Sequence, residues 1–286
     1  MSYIFLFIFG LVIGSFLNVV AFRYSEDKNI FSPAHLGGRS HCQHCHQNLS
    51  WYELIPVFSF ILQSGKCWVC RKTLSWQYPL VELASAFAFL LPVYFFGNNL
   101  YPAPYDIIAS FIWIAVFLIF ILIWAIDFRL YLIPDELNFL LGVLGLIAVD
   151  YQNLYGQFGE FSGSFLGGYS GLFGLRSGIW LNHLSAMLIG GLIVGIIILL
   201  TRGRGMGMGD LKLMAALGLL YGWPDIILIL ALASVVGAVA SLFLMAIKKK
   251  DLRGVVPFGP FLVIGSLLVF FFGETILRSY FNFFGL

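Results

Sequence analysis

Long uninterrupted apolar runs organise this chain. They fall at residues 3–22, about 80–96, 106–126, 137–149, 184–201, 211–223, 226–247 and 255–272. Most approach the roughly 20 residues that a helix needs to cross hydrocarbon. The pattern therefore predicts an all-α polytopic membrane protein with about eight transmembrane helices. Runs 137–149 and 211–223 hold only 13 residues each, below the usual lower limit of about 17. Each follows a polar segment that carries Pro or Gly. Irregular backbone sits at membrane depth only where protein or a water-filled cavity satisfies its polar groups. Both segments are therefore expected to dip slightly into the membrane and line one wet pocket. The first run has no basic stretch before it and is too long for a signal-peptide core, so it reads as a retained anchor.

Composition excludes a soluble domain. The chain has 286 residues, 60% of them hydrophobic and 10% charged, too few charges to cover that much apolar surface. The lipid bilayer is thus its first partner. A net charge of +2 gives no case for nucleic-acid binding, but the placement of the charges is informative. With the N-terminus outside, segments 23–79, 127–136, 202–212 and 248–254 face the cytoplasm and hold 14 of the 16 basic residues. Only Arg176 and Arg278 remain outside. Lys/Arg bias sets orientation, which points to a multi-pass protein with Asp127 and Asp210 on the cytoplasmic side.

Between the spans lie one sizeable cytoplasmic loop, 23–79, and a Gly/Ser-rich outer segment, about 150–183. No convincing internal repeat is evident. The chain divides into a first span (1–22), the cytoplasmic loop (23–79) and a membrane domain (80–286). Small residues four apart, Gly10, Gly14 and Asn18, and Ala233, Gly237 and Ser241, read as helix-packing faces.

All four cysteines lie in the cytoplasmic loop, as Cys42-Gln43-His44-Cys45 and Cys67-Trp68-Val69-Cys70. Two such knuckles separated by 21 residues read as a tetrahedral zinc site. A reducing cytoplasm disfavours disulfides, and a small loop benefits from a metal staple. Four protein ligands close the site, so zinc there is structural. His41, His44 and His46 flank the first knuckle but are not needed to complete it.

Asp127 and Asp210 are the acids that stand out. An Asp near hydrocarbon costs roughly 2.5–3.5 kcal/mol on insertion scales. As charge decoration, Asp210 suits a helix start, but Asp127 ends a run, where the helix dipole disfavours it. The functional reading is an aspartic pair sharing one proton, one member activating water and the other protonating a scissile carbonyl. Gly207 and Gly209, before Asp210, would let backbone approach a bound peptide. Asp135 and Glu136 follow Pro134 and read as helix-start acids. Glu82 reads as structural. The glycine run lacks the Gly-Lys-Ser/Thr ending of a P-loop.

These residues carry a resemblance. Gly14-Ser15-Phe16-Leu17-Asn18-Val19, the paired knuckles, Trp51-Tyr52-Glu53-Leu54-Ile55-Pro56, Tyr78-Pro79-Leu80-Val81-Glu82, Asp127 with Ile133-Pro134-Asp135, the Gly207–Asp210 segment and Pro257-Phe258-Gly259-Pro260 occur in an order similar to type IV prepilin peptidases. The resemblance spans nearly the whole chain. It implies that Asp127 and Asp210 are catalytic and that residues 80–286 form a membrane aspartic peptidase domain. It further implies prepilin or pseudopilin substrates cut after Gly, usually before Phe, at the cytoplasmic face. Members with the cysteine loop also N-methylate the new terminus with S-adenosylmethionine, so 23–79 becomes methyltransferase-associated by analogy alone. No motif in the sequence locates a methyl-donor site. A transporter or channel with a proton relay is the alternative, but it predicts midplane acids and internal repeats. A structural secretion subunit leaves the glycine-aspartate pattern unexplained.

Overall fold

In the computed structural model, which describes residues 3–26, 29–32, 37–97, 105–155, 164–169, 178–246 and 256–285, the apolar runs are helices. In chain order they are α1 (Tyr3–Arg23), the short α2 (Phe58–Leu62), α3 (Gln77–Gly97), α4 (Tyr105–Leu130), α5 (Asp135–Tyr155), α6 (Ile179–Thr201), α7 (Met208–Tyr221), α8 (Asp225–Ala246) and α9 (Gly259–Phe283). Single 3₁₀ turns occur at Trp51–Leu54 and Gly167–Tyr169. Among the described residues, seven helices are long and apolar enough to span a membrane. The eighth expected span, run 211–223, is the 14-residue α7, about 21 Å long at 1.5 Å per residue. Run 137–149 understates its helix: α5 starts at Asp135 and continues to Tyr155 through Asp150, Gln152 and Asn153. Basic residues Lys28, Arg176, Lys248, Lys249, Lys250 and Arg253, with positions 156–163 and 170–177 of the Gly/Ser-rich segment, lie outside the described residues.

The chain forms two compact units, Met1–Arg129 and Leu130–Leu286. In the first, α1 packs along α3. The small-residue face expected on α1 makes this possible: a Cβ at Gly10 would meet the Ala86 Cα at 2.6 Å, and one at Gly14 the Glu82 Cα at 2.7 Å. One turn further on, the buried Asn18 donates its side-chain N–H to the Tyr78 carbonyl at 3.0 Å.

In the second unit, α7 packs against α5, α6, α8 and α9. Its residues Leu213, Met214, Leu217 and Tyr221 are buried, as expected of a short helix sheltered by longer ones. The approach of α6 to α7 is tightest at Gly218, where a Cβ would stand 2.5 Å from the Ala186 carbonyl oxygen. Gly265 does the same for α9 against the Ile229 carbonyl on α8, at 2.7 Å. Asp225, fully buried at the start of α8, accepts hydrogen bonds from the Ser164 hydroxyl at 2.6 Å and the Phe165 N–H at 2.7 Å. It thereby ties the Ser164–Leu166 stretch to the helices. Leu199, Leu200, Phe111 and Leu188 are large apolar side chains left outward on their helices, a surface suited to lipid.

Candidate active site and metal centre

The structure brings the four predicted metal ligands together. The sulfurs of Cys42, Cys45, Cys67 and Cys70 all lie within 4.8 Å of one another, and Cys42 Sγ stands 3.9 Å from Cys70 Sγ. Zinc–sulfur bonds of about 2.3 Å in a tetrahedron require sulfur–sulfur edges of about 3.8 Å, so the donor set fits zinc with side-chain shifts of no more than about 1 Å. Cys42 and Cys67 are buried, and Cys45 and Cys70 half-buried. Burial pushes the Cys42 thiol up, but the backbone N–H groups of Cys45 and His44 and the thiols of Cys45 and Cys67 outweigh it, lowering it to about 7. At Cys45 the Gln47 backbone acts downward, yet burial and the hydrogen bonds shared with the other sulfurs raise the thiol to about 11. Four thiols so close do not ionise independently; a cation among them would favour thiolates throughout.

The two knuckles are copies of one another. Cys42 N–H donates to Gln47 O and His46 N–H to Cys42 O, both at 2.9 Å; Cys67 N–H donates to Lys72 O and Arg71 N–H to Cys67 O, also at 2.9 Å. His46 and Arg71 occupy equivalent positive-φ positions, 57° and 60°. Bridges His41–Asn48 and Lys66–Thr73 close both turns. The sequence carries the same repeat, Cys-x-x-Cys-x-x-x-Leu-Ser-Trp, beginning at Cys42 and again at Cys67. The expectation of no internal repeat is corrected here. The repeat is only ten residues long, far shorter than a span, and the paired Leu-Ser-Trp is its signal in the sequence.

A cavity of about 670 Å³ lies between this loop, the C-terminal turns of α1 and the N-terminal turns of α3. Glu53, Gln63, Tyr78 and Glu82 line it, with Arg129 at the end of α4. Glu82 is more than a helix-end charge: it is 6% exposed and its Oε2 accepts the Val57 N–H at 2.7 Å. Val57 holds φ 61°, ψ −48°, with the Phe58 N–H donating to the Pro56 carbonyl at 2.6 Å across it. This is a γ-turn, strained for a β-branched residue by about 1–3 kcal/mol. Arg129 donates to the Phe22 and Tyr24 carbonyls at 2.9 and 3.3 Å and lies 5.5 Å over the Phe22 ring. Phe22 in turn stacks on Tyr78, with centroids 4.7 Å apart.

The two focal aspartates belong to different units, Asp127 to the first and Asp210 to the second. Asp127 lies in the last turn of α4 and is 4% exposed. Asp210 is 8% exposed in the first turn of α7, where its Oδ2 accepts the Gly207 N–H at 2.9 Å. That bond closes the helix start and anchors the carboxylate, as an acid near a helix N-terminus should. Gly209 fits against Ile133, whose Cβ would stand 3.2 Å from an added Cβ. Gly207 has an ordinary φ of −90°, so its backbone is not one that demands glycine. Ile133 is buried just before Pro134, and Asp135 begins α5 as expected of helix-start chemistry. Asp135 also receives both oxygens' hydrogen bonds from Lys212 Nζ, at 2.7 and 2.6 Å. This exposed pair links the starts of α5 and α7.

Residues 8–96 match the family model of the bacterial peptidase A24 N-terminal domain, and residues 114–242 that of the type IV leader peptidase family. Curated relatives are similar over almost their whole length. A prepilin leader peptidase/N-methyltransferase of Aeromonas hydrophila is 33% identical, over 96% of this chain and 92% of its own. The proteins of that name from Stutzerimonas stutzeri and Pseudomonas aeruginosa are 32% and 31% identical, with the same coverage of both chains. No solved structure matches the chain. The transport reading finds no support in these comparisons.

Proposed function

Because the chain belongs to the type IV leader peptidase family, we propose that it removes the basic leader of prepilins or pseudopilins after Gly and N-methylates the new terminus. The observation that carries this reading is the match of the chain, over 96% of its length, to relatives that bear both activities in their names. The buried acids at helix ends supply suitable chemistry for the first step. Asp127 and Asp210 act as a pair: a proton held by one keeps the other free to take a proton from water. The water oxygen attacks the scissile carbonyl while the protonated partner donates to the carbonyl oxygen. Proton uptake belongs to the pair rather than to either residue. Gly207 and Gly209, having no side chains, leave the approach to Asp210 open to a peptide backbone.

Zinc is the metal that the four thiolates would hold, and with four protein ligands its part is to fix the knuckles. S-adenosylmethionine supplies the methyl group as an electrophile. The N-terminus lies outside and the acids face the cytoplasm, in an inner membrane, because that arrangement puts 14 of 16 basic residues inside. A prepilin leader, being basic, stays on that side for the same reason.

The test is to incubate purified protein with a prepilin-type membrane substrate and S-adenosylmethionine and to read the product by mass spectrometry. A product cut after Gly and carrying one added methyl group at its N-terminus is expected. An intact substrate under conditions where the protein is folded would refute the reading.

A further inference from the structure

We propose that the 670 Å³ cavity between the knuckle loop and the ends of α1 and α3 is the binding site for S-adenosylmethionine. The inference rests on the methyl-transfer half of the proposed function and gives it a place. The volume lies inside the roughly 300–1,000 Å³ of small-molecule sites.

Its walls suit the three chemical parts of that molecule. The stacked Phe22 and Tyr78 rings, both facing the cavity, offer a flat aromatic surface for a purine. Glu53 and Glu82 put two carboxylates on the lining and Arg23 and Arg129 two guanidinium groups, so the site offers partners both for the sulfonium and ammonium charges and for the carboxylate of the ligand. The Glu82 carboxylate is fixed by the Val57 amide, and that of Glu53 by the Ser50 N–H at 2.8 Å, so neither must be ordered on binding. Gln63 is the second, independent indication. It is 7% exposed and lines the cavity, and among the described residues no side-chain hydrogen bond ties up its amide, which stays open to the cavity. An amide so placed can pair with a ligand's polar edge without first giving up a bond inside the protein. The strained γ-turn at Val57 lies behind the wall and reaches the site through the Glu82 carboxylate that its N–H holds.

Cys42 and Cys67 also line the cavity, so the metal knuckles form one of its walls. That accounts for a closed metal site in a region where the metal performs no chemistry itself. In the reaction, the lone pair of the new N-terminal amine forms a carbon–nitrogen bond. The carbon–sulfur bond breaks, its electron pair returns to sulfur as a thioether, and the amine's proton passes to water. An α-amine with a pKa of about 8 is neutral often enough for this without a strong base.

The experiment is calorimetric titration of S-adenosylmethionine and of S-adenosylhomocysteine into the full-length, zinc-loaded protein in detergent. It compares wild type with Gln63→Leu and Glu53→Gln, with zinc content and thermal unfolding measured in parallel. Binding at least tenfold weaker in both variants, at unchanged zinc content and unfolding temperature, is expected. Wild-type affinity in both variants overturns the location while leaving the methyl-transfer reading intact. A wild type that methylates pilin but is cross-linked by a photoreactive S-adenosylmethionine analogue outside residues 15–82 and Arg129 overturns it as well. A folded wild type that binds neither compound and transfers no methyl group overturns the methyl-transfer reading, and the location with it.

Discussion

At Gly14 a methyl group would sit 2.7 Å from the Glu82 Cα and 2.9 Å from the Ser85 side chain. Backbone on one side leaves no room to give, so Gly14→Ala should destabilise the first unit by about 1–3 kcal/mol, the range for overpacking. Gly142, inside α5, meets nothing within 4 Å, and Gly142→Ala should leave stability level or raise it by up to about 1 kcal/mol. Thermal unfolding of the two variants in detergent checks the contrast; equal effects would mean that the α1–α3 contact is not tight. The sequence made Gly14 legible, because small residues four apart need no partner to be noticed. Glu82 was not legible. Its spacing at a helix start resembles ordinary end decoration, and only the γ-turn amide of Val57 shows that its carboxylate is held in place.

Among the elements, the knuckles were legible as ligands but not as a repeat. Cysteine spacing fixes a donor set, since four thiolates near one another have few other uses. The backbone duplication around Cys42 and Cys67 emerges from hydrogen bonds that spacing does not display. Cys42→Ser and Cys67→Ser should each abolish stoichiometric zinc, leave the remaining thiols open to alkylation, and impair methylation more than cleavage. Zinc affinity of the wild type should rise with pH, because uptake displaces protons from thiols. Metal analysis and competition titration measure this, and an affinity indifferent to pH would contradict thiolate ligation. Helix α7 taught the opposite lesson. Hydropathy found its apolar run but equated it with a span, whereas its 14 residues reach about 21 Å, short of hydrocarbon about 30 Å thick. Burial by α5, α6, α8 and α9 makes the short length tolerable. Both its start, at Asp210, and the buried Asp225 just beyond its end then fall where lipid would otherwise forbid a carboxylate.

For the whole molecule, hydropathy made the membrane class readable, because the bilayer acts on composition before it acts on packing. The order of motifs made the family readable, and the relatives match nearly the full length. The cavity was beyond reach from sequence. Its walls come from α1, the knuckle loop, α3 and the end of α4, positions up to 114 apart in the chain, and no local pattern announces such a convergence. The pairing of Asp127 with Asp210 is a proposal of the same long-range kind, and the proteolytic half of the account rests on it. Cleavage of a prepilin-type substrate by purified Asp127→Asn and Asp210→Asn proteins, each shown to be folded and zinc-loaded, tests it most directly. Each variant should lose roughly 10²–10⁴-fold in rate, as loss of a general acid or base does, with S-adenosylmethionine binding retained. Cleavage near the wild-type rate by either variant would contradict the account.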